Sequence, residues 1–260
     1  MASSRSLRRC STLAISRPFG SAATDRVIGF LGIGAQKCGT SWLHHMLSTH
    51  PGISFPAGKE VHYWDELSHL GVEHYASWLD AGDGKLHGDI TPAYAVMDIQ
   101  KIRGCHSSFP WLRMIYIIRN PIERAWSAAC MDLAREGGCL AEVPDGRFAD
   151  HVRSQGSLAR GDYEMCLRNW REVFGHEQVL VLRFEDISAQ PARMLNECCA
   201  HIGVEPSYGE GDPLLSKRVN PGRGVPLRPS LMPLLASLYA ARIRSLEQYL
   251  QTDLAAWIPA

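Results

Sequence analysis

Apolar residues in this chain fall into short blocks, separated by polar stretches long enough to hold a helix. Val27–Gly34 (VIGFLGIG), Met114–Arg119 (MIYIIR) and Val179–Phe184 (VLVLRF) are continuous apolar runs rich in branched side chains, and each predicts a buried strand. Leu86–Thr91 is a weaker candidate that stops at Pro92, and Ile53–Phe55 a shorter one. Between them the pattern turns helical. Thr40-Ser41 gives a polar start to WLHHMLSTH, which stops at Pro51, and Pro121 stands in the first helical position ahead of ERAWSAACMDLARE. His74–Leu79, Tyr163–Phe174, Pro191–Ile202 and Leu231–Leu250 complete the predicted helices. Gly137–Gly146 reads as a turn-rich loop, and Gly203–Arg228 as a long irregular one of the kind that often carries function. Well-separated strands alternating with helices imply a parallel sheet with covered faces. The expected architecture is α/β: a three-layer, P-loop-type parallel sheet flanked by helices, in a single domain over 25–260.

Composition narrows the function classes. Of 260 residues, 45% are hydrophobic and 21% charged, which excludes a mainly disordered chain. Lys and Arg total 27 and Asp and Glu total 27, a balance that argues against coating a polyanion, so no nucleic-acid partner is expected. No apolar run approaches the ~20 residues of a membrane span. The eight cysteines show no C-x-x-C spacing, which favours reduced thiols in a cytoplasmic setting. Residues 1–24 carry Arg5, Arg8, Arg9 and Arg17, many serines and no acid. That composition fits a disordered basic tail first, with an organellar transit peptide, and so an organellar location, as the alternative.

The chemistry begins at Gly34-Ala35-Gln36-Lys37-Cys38-Gly39-Thr40-Ser41-Trp42, which follows the first predicted strand and opens the first predicted helix. Unpaired N–H groups at a helix start carry partial positive charge. Gly39 permits close backbone approach, Thr40 and Ser41 add hydroxyl donors, and Lys37 adds a full charge. Together they make a cradle for phosphate or a similar anion. A Walker A loop would place Lys directly before Ser or Thr. Here Lys37 stands two residues before Gly39, which weakens an ATP-magnesium reading. Taken alone, the segment could also be a tight turn with a solvated lysine.

This loop resembles the 5′-phosphosulfate loop of the sulfotransferases that use 3′-phosphoadenylyl sulfate (PAPS). Other segments extend the resemblance in consistent order over about residues 27–257. Lys59-Glu60-Val61-His62-Tyr63-Trp64-Asp65 is similar to the K/N-E-x-H-[FY]-[FWY] segment of the heparan sulfate and bacterial branch. Gly88-Asp89-Ile90-Thr91-Pro92-Ala93-Tyr94 resembles its [ED]-x-[ST]-P-x-Y segment. Arg119-Asn120-Pro121-Ile122-Glu123-Arg124-Ala125-Trp126-Ser127 resembles its 3′-phosphate motif, and Val181–Asp186 its later strand.

The resemblance implies PAPS as co-substrate, an acceptor hydroxyl or amine on a small molecule, lipid or glycan, and no metal. Lys37 would stabilise charge on the leaving phosphate, and Lys37, Cys38, Gly39, Thr40, Ser41 and Trp42 would hold the 5′-phosphate. Arg119 and Ser127 would share the 3′-phosphate, where the bidentate guanidinium suits the task. Gly222 and Arg223 match the family's late K-G-R-x-x-P segment; Pro221 replaces its first basic residue, and Lys217 or Arg218 is the expected substitute. Glu60 is the candidate general base, a carboxylate beside the donor pocket. In an extended segment His62, two residues on, faces the same side, and Asp65 is a weaker third member. Ile90 stands where some heparan enzymes place a substrate-contacting lysine, which argues against a heparan acceptor.

Plainer readings stand beside these. Glu60 could be a surface partner of Lys59, and Arg119 could be tied to a nearby acid. Glu185-Asp186 could imitate the acidic strand end of a P-loop nucleotide kinase, and the chain could be a nucleotide- or glycan-binding module without catalysis. Glu60, His62, Asp65, Glu66, His69 and His74 match no zinc spacing, so no metal site is expected. Tyr63, Trp64, Trp78, Phe109 and Trp111 could wall an acceptor pocket or pack in the core. Nothing in the sequence reports oligomeric state.

Overall fold

A computed structural model describes residues 28–137, 139–220, 222 and 224–259. The basic segment 1–24, Pro221 and Arg223 lie outside the described residues.

Five strands form one parallel sheet: β1 Phe30–Gly34, β2 Ile53–Ser54, β3 Leu86–Ile90, β4 Arg113–Ile118 and β5 Val179–Arg183. Their order is β2-β3-β1-β4-β5. Every β1 residue and all but the first of β4 are buried, as expected for strands covered on both faces. The covering helices are α1 Thr40–Leu47, α2 Val72–Leu79, α3 Ile99–Ser108, α4 Pro121–Arg135, α5 Asp145–Arg153, α6 Gln155–Arg160, α7 Tyr163–Phe174, α8 Asp186–Ala189, α9 Pro191–Ile202 and α10 Met232–Leu250. On one flank α1 packs on α9, which rests on β4 and β5; elsewhere α3 packs on α7, and α10 joins α4 to α7. The vicinal Cys198 and Cys199 are fully buried on α9.

The first strand, β1, is central; the chain then goes out to β2 at the edge, returns inward with β3, and crosses β1 to lay down β4 and β5. Ligands bind at the carboxyl ends of parallel strands where the winding direction reverses. The peptides leaving β1, β3, β4 and β5 therefore meet at one edge. Two glycines let the central strands pack closely. A Cβ at Gly32 would press on Ile90 of β3, and one at Gly88 would overlap the Phe30 ring of β1.

Besides the four-residue α8, three helices escape the sequence reading. α3, α5 and α6 are short and polar, without long apolar stripes, and caps start two of them. Asp98 accepts from the Gln100 and Lys101 amides, and Ser154 from Ser157. The described residues of 203–228 are irregular as expected, apart from one 3-10 turn at Pro213–Ser216. The far end of this stretch is pinned where Trp126 Nε1 donates to the Val225 carbonyl at 2.9 Å.

Because Phe30 is a rigid ring with no exposed surface, Gly88→Ala is expected to lower unfolding free energy by about 1–3 kcal/mol. Chemical denaturation checks this, and combining it with Phe30→Leu is expected to recover part of the loss.

Candidate active site

The loop between β1 and α1 gathers the first half of the site. Gly39 takes φ 86° as the residue before α1, no side chain caps that helix, and its first turn holds no acid. Its amides are thus available to an anion. A Cβ at Gly39 would collide with Ile187, and the left-handed backbone disfavours one in any case. Lys37 has φ 69°, and its Nζ lies 3.6 Å from Met131 Sδ on α4. A non-glycine residue held at positive φ stores strain that commonly marks a functional position.

Arg119 leaves β4 beside this loop. Its Nη1 is 3.4 Å from the Lys37 carbonyl, its other nitrogens hold Glu123 Oε2 at 2.8 and 3.1 Å, and its guanidinium lies 4.4 Å over the Phe184 ring. The tie to a nearby acid therefore exists, yet it leaves Arg119 facing the same cleft as Lys37. Ser127 lines that cleft two turns into α4.

The third wall is the segment after β2. Glu60 and His62 both face the cleft, although the segment is not extended: their φ angles are 62° and 55°. Left-handed kinks, rather than strand alternation, turn the two side chains to one side. The Glu60 carboxylate is half exposed and pairs with Lys59. His62 Nδ1 lies 2.8 Å from Asp65 Oδ2 and 3.9 Å from Glu66 Oε1. Burial pulls the His62 pKa down, but the Asp65 hydrogen bond and the Asp65, Glu66 and Glu60 charges outweigh it and raise it above the usual value. His62, Asp65 and Glu66 bring their ligand atoms within 4.8 Å of one another, a closeness their loose spacing does not suggest. The internal ion pair accounts for it.

These three walls enclose one cleft of about 1360 Å³, which Lys37, Gly39, Thr40, Ser41, Trp42, Glu60, His62, Arg119 and Ser127 all line. Lys217, Arg218 and Gly222 close it from the long loop, so both suggested substitutes for the missing basic residue reach the site. Cys38 does not. Its amide donates to the Ala35 carbonyl, and its thiol is buried 3.7 Å from the Tyr163 hydroxyl, with burial pushing its pKa up to about 11. Neither group is presented to a ligand. Glu185 and Asp186 also turn away, since Glu185 accepts from Trp257 Nε1 and Asp186 from Gln190. Tyr63, Trp64 and Phe109 are buried, and Tyr63 stacks on Tyr75 at 4.4 Å. They pack beneath the Glu60 segment as core.

One group at the site is not evident from sequence spacing. Asp89, on β3, is fully buried and accepts hydroxyls from Tyr75 at 2.9 Å, Tyr94 at 2.6 Å and Thr91 at 2.7 Å. Burial pushes its carboxyl above the usual range, and the three hydroxyls oppose that shift.

The profile of the Sulfotransferase domain family matches residues 30–219. The chain belongs to that family. Human heparan sulfate glucosamine 3-O-sulfotransferase 6 is 27% identical over 181 residues, covering 66% of this chain and 51% of that protein. Mouse bifunctional heparan sulfate N-deacetylase/N-sulfotransferase 4 is 24% identical over 217 residues, 73% of this chain and 24% of its own. The chain thus spans about half the length of the first of these relatives and about a quarter of the second. Among solved structures, a sulfotransferase from Alicyclobacillus acidocaldarius superposes with a TM-score of 0.69 at 24% identity, covering 88% of this chain and 98% of that one. A mouse sulfotransferase complexed with PAP gives 0.54 at 17% identity, over 87% and 89%. At these identities the structural likeness speaks for the fold. No helix among the described residues is long and apolar enough to cross a membrane.

The His62 pairing sets a pH dependence. A raised pKa contributes stability that is complete below the ordinary value of about 6.5 and is lost as pH rises through the folded-state value. NMR titration is expected to place the His62 midpoint above 6.5, and Asp65→Asn is expected to drop it, since burial then dominates. An unmoved midpoint contradicts the assignment.

Proposed function

We propose that this chain transfers the sulfuryl group of PAPS to a hydroxyl or amine of an acceptor. One observation carries the reading: Lys37 with the uncapped α1 start, Arg119 with Ser127, and Glu60 with His62 open into a single cleft. The first pair suits a 5′-phosphosulfate, the second a 3′-phosphate, and the third an acceptor. Trp42, also in the lining, has its side chain buried in the core, so its backbone amide is what it would offer the 5′-phosphate.

In this reading Glu60 accepts the acceptor's proton while the acceptor oxygen or nitrogen bonds to sulfur. The bridging sulfur–oxygen bond breaks, and its electrons pass to the 5′-phosphate of the departing 3′-phosphoadenosine 5′-phosphate (PAP). Lys37 lies where a cation can follow that charge, so preorganised electrostatics does the work and no metal is invoked. Glu60 must exchange its Lys59 partner for the acceptor, which its half-exposed position permits. His62, joined to Asp65, orients the acceptor or shares the proton.

The two curated relatives named above are heparan sulfate sulfotransferases, but Ile90 argues against such an acceptor here. Its side chain has no exposed surface and packs against Gly32, so no contact to an acceptor arises there. The proposed acceptor is therefore a small molecule, a lipid or another glycan. A cytoplasmic location is part of the same proposal; the seven described cysteines form no disulfide with one another. The kinase alternative loses its acidic strand end, because Glu185 and Asp186 do not line the cleft.

Thermal unfolding with PAP, against ATP and magnesium, tests the reading. PAP at 100 times its dissociation constant is expected to add about 2.7 kcal/mol without metal. Preference for ATP-magnesium overturns the proposal. Lys37→Ala is expected to lower sulfuryl transfer from labelled PAPS by about 100-fold or more. Undiminished transfer removes Lys37 from the mechanism.

A further inference from the structure

The segment that carries Glu60 and His62 is built from two strained residues and a single turn of π-helix at Tyr63–Leu67. Such a segment does not hold its own shape. Its backbone is fastened instead to the peptide leaving β3. The Glu60 amide donates to the Ile90 carbonyl at 3.0 Å, the His62 amide reaches Thr91 Oγ1 at 3.5 Å, and the Tyr63 amide donates to the Tyr94 hydroxyl at 3.0 Å. The Tyr63 ring stacks on Tyr75 at 4.4 Å and 15°.

Three of these four anchors converge on one atom group. Thr91, Tyr94 and Tyr75 all donate their hydroxyl hydrogens to the Asp89 carboxylate. Each hydroxyl has one hydrogen, and a carboxylate only accepts. With its hydrogen committed to Asp89, the oxygen of Thr91 or Tyr94 turns a lone pair toward the amide of residue 62 or 63. Asp89 itself is fixed in the sheet, in register with Leu31 of β1.

We infer that Asp89 is a positioning residue: acting through Thr91, Tyr94 and Tyr75, it locks the strained His62–Tyr63 backbone and so aims Glu60 and His62 into the cleft. The inference that this aim serves acceptor chemistry rests on the transferase reading. The lock itself does not. It also separates the two halves of the site. Lys37 follows β1, Arg119 follows β4 and is held by Glu123 and Phe184, and Ser127 sits on α4, so the donor groups are carried by other elements than the lock. Damage to the lock should therefore spare the donor end.

Near-isosteric variants test this. Tyr94→Phe and Thr91→Val remove a hydroxyl and keep nearly the same shape, whereas Thr91→Ser keeps the hydroxyl. Amide hydrogen exchange, followed by NMR on the full chain, reads the lock directly. Tyr94→Phe is expected to speed exchange at Tyr63 by about tenfold, and Thr91→Val to speed His62, with Thr91→Ser near the wild type and the core β4 amides unchanged. The thermal shift given by PAP is expected to stay as in the wild type. Release of labelled sulfate from PAPS to water, which needs no known acceptor, is expected to fall about tenfold or more in Tyr94→Phe. Wild-type exchange at both amides in the hydroxyl-deleted variants overturns the lock. Loss of the PAP shift along with protection throughout the core overturns it too, because the hydroxyls would then serve the whole fold. Failure of the wild type to release sulfate speaks against the transferase reading alone, since the exchange measurement still decides the lock.

Discussion

Everything in the site depends on where parallel strands end. β1 lies between β3 and β4, so the peptides leaving all three emerge side by side, and β5 adds Phe184 from the next position. Each brings a different chemical part: the lysine loop, the Thr91–Ala93 corner, Arg119, and an aromatic face beneath that arginine. None of these groups is near the others in sequence. The close approach allowed by Gly32 and Gly88 sets their spacing, and the buried sheet keeps it rigid.

Charge is arranged on the same plan. The floor of the cleft is positive, from Lys37, Arg119 and the α1 start, with Lys217 and Arg218 at the rim. Of its acidic lining residues, Glu60 sits on another wall and meets Lys59, while Glu210 and Asp212 come from the long loop. A chain with no net charge can thus hold a strongly polarised pocket. Arg119 illustrates the compromise in such a place. Glu123 and Phe184 hold it without a ligand, but the Glu123 pair is partly exposed and therefore weak enough to be outcompeted by phosphate.

Much of this was legible in the sequence, and the limits have physical causes. VIGFLGIG, MIYIIR and VLVLRF announce strands because both faces of a parallel sheet demand continuous apolar runs. The Lys37 loop announces itself because an anion cradle needs glycine and hydroxyls in fixed order. Cys38 misled because a loop residue's orientation depends on local dihedral angles, which residue type does not set. The Glu60–His62 segment shows a right conclusion from a wrong premise: both side chains reach the cleft, through positive φ rather than alternation. Asp89 was visible only as a member of a motif. That it is buried and gathers three hydroxyls is tertiary information, since Tyr75 approaches from a different element.

The central claim is that two separated anion sites grip one nucleotide at both ends. Calorimetric titration of PAP and adenosine 5′-monophosphate against the wild type and Arg119→Ala tests it most directly. The account expects PAP to bind far more tightly than the monophosphate in the wild type, and Arg119→Ala to erase that advantage while leaving the monophosphate unchanged. Equal weakening of both ligands by Arg119→Ala, or no preference for PAP at the outset, would contradict it.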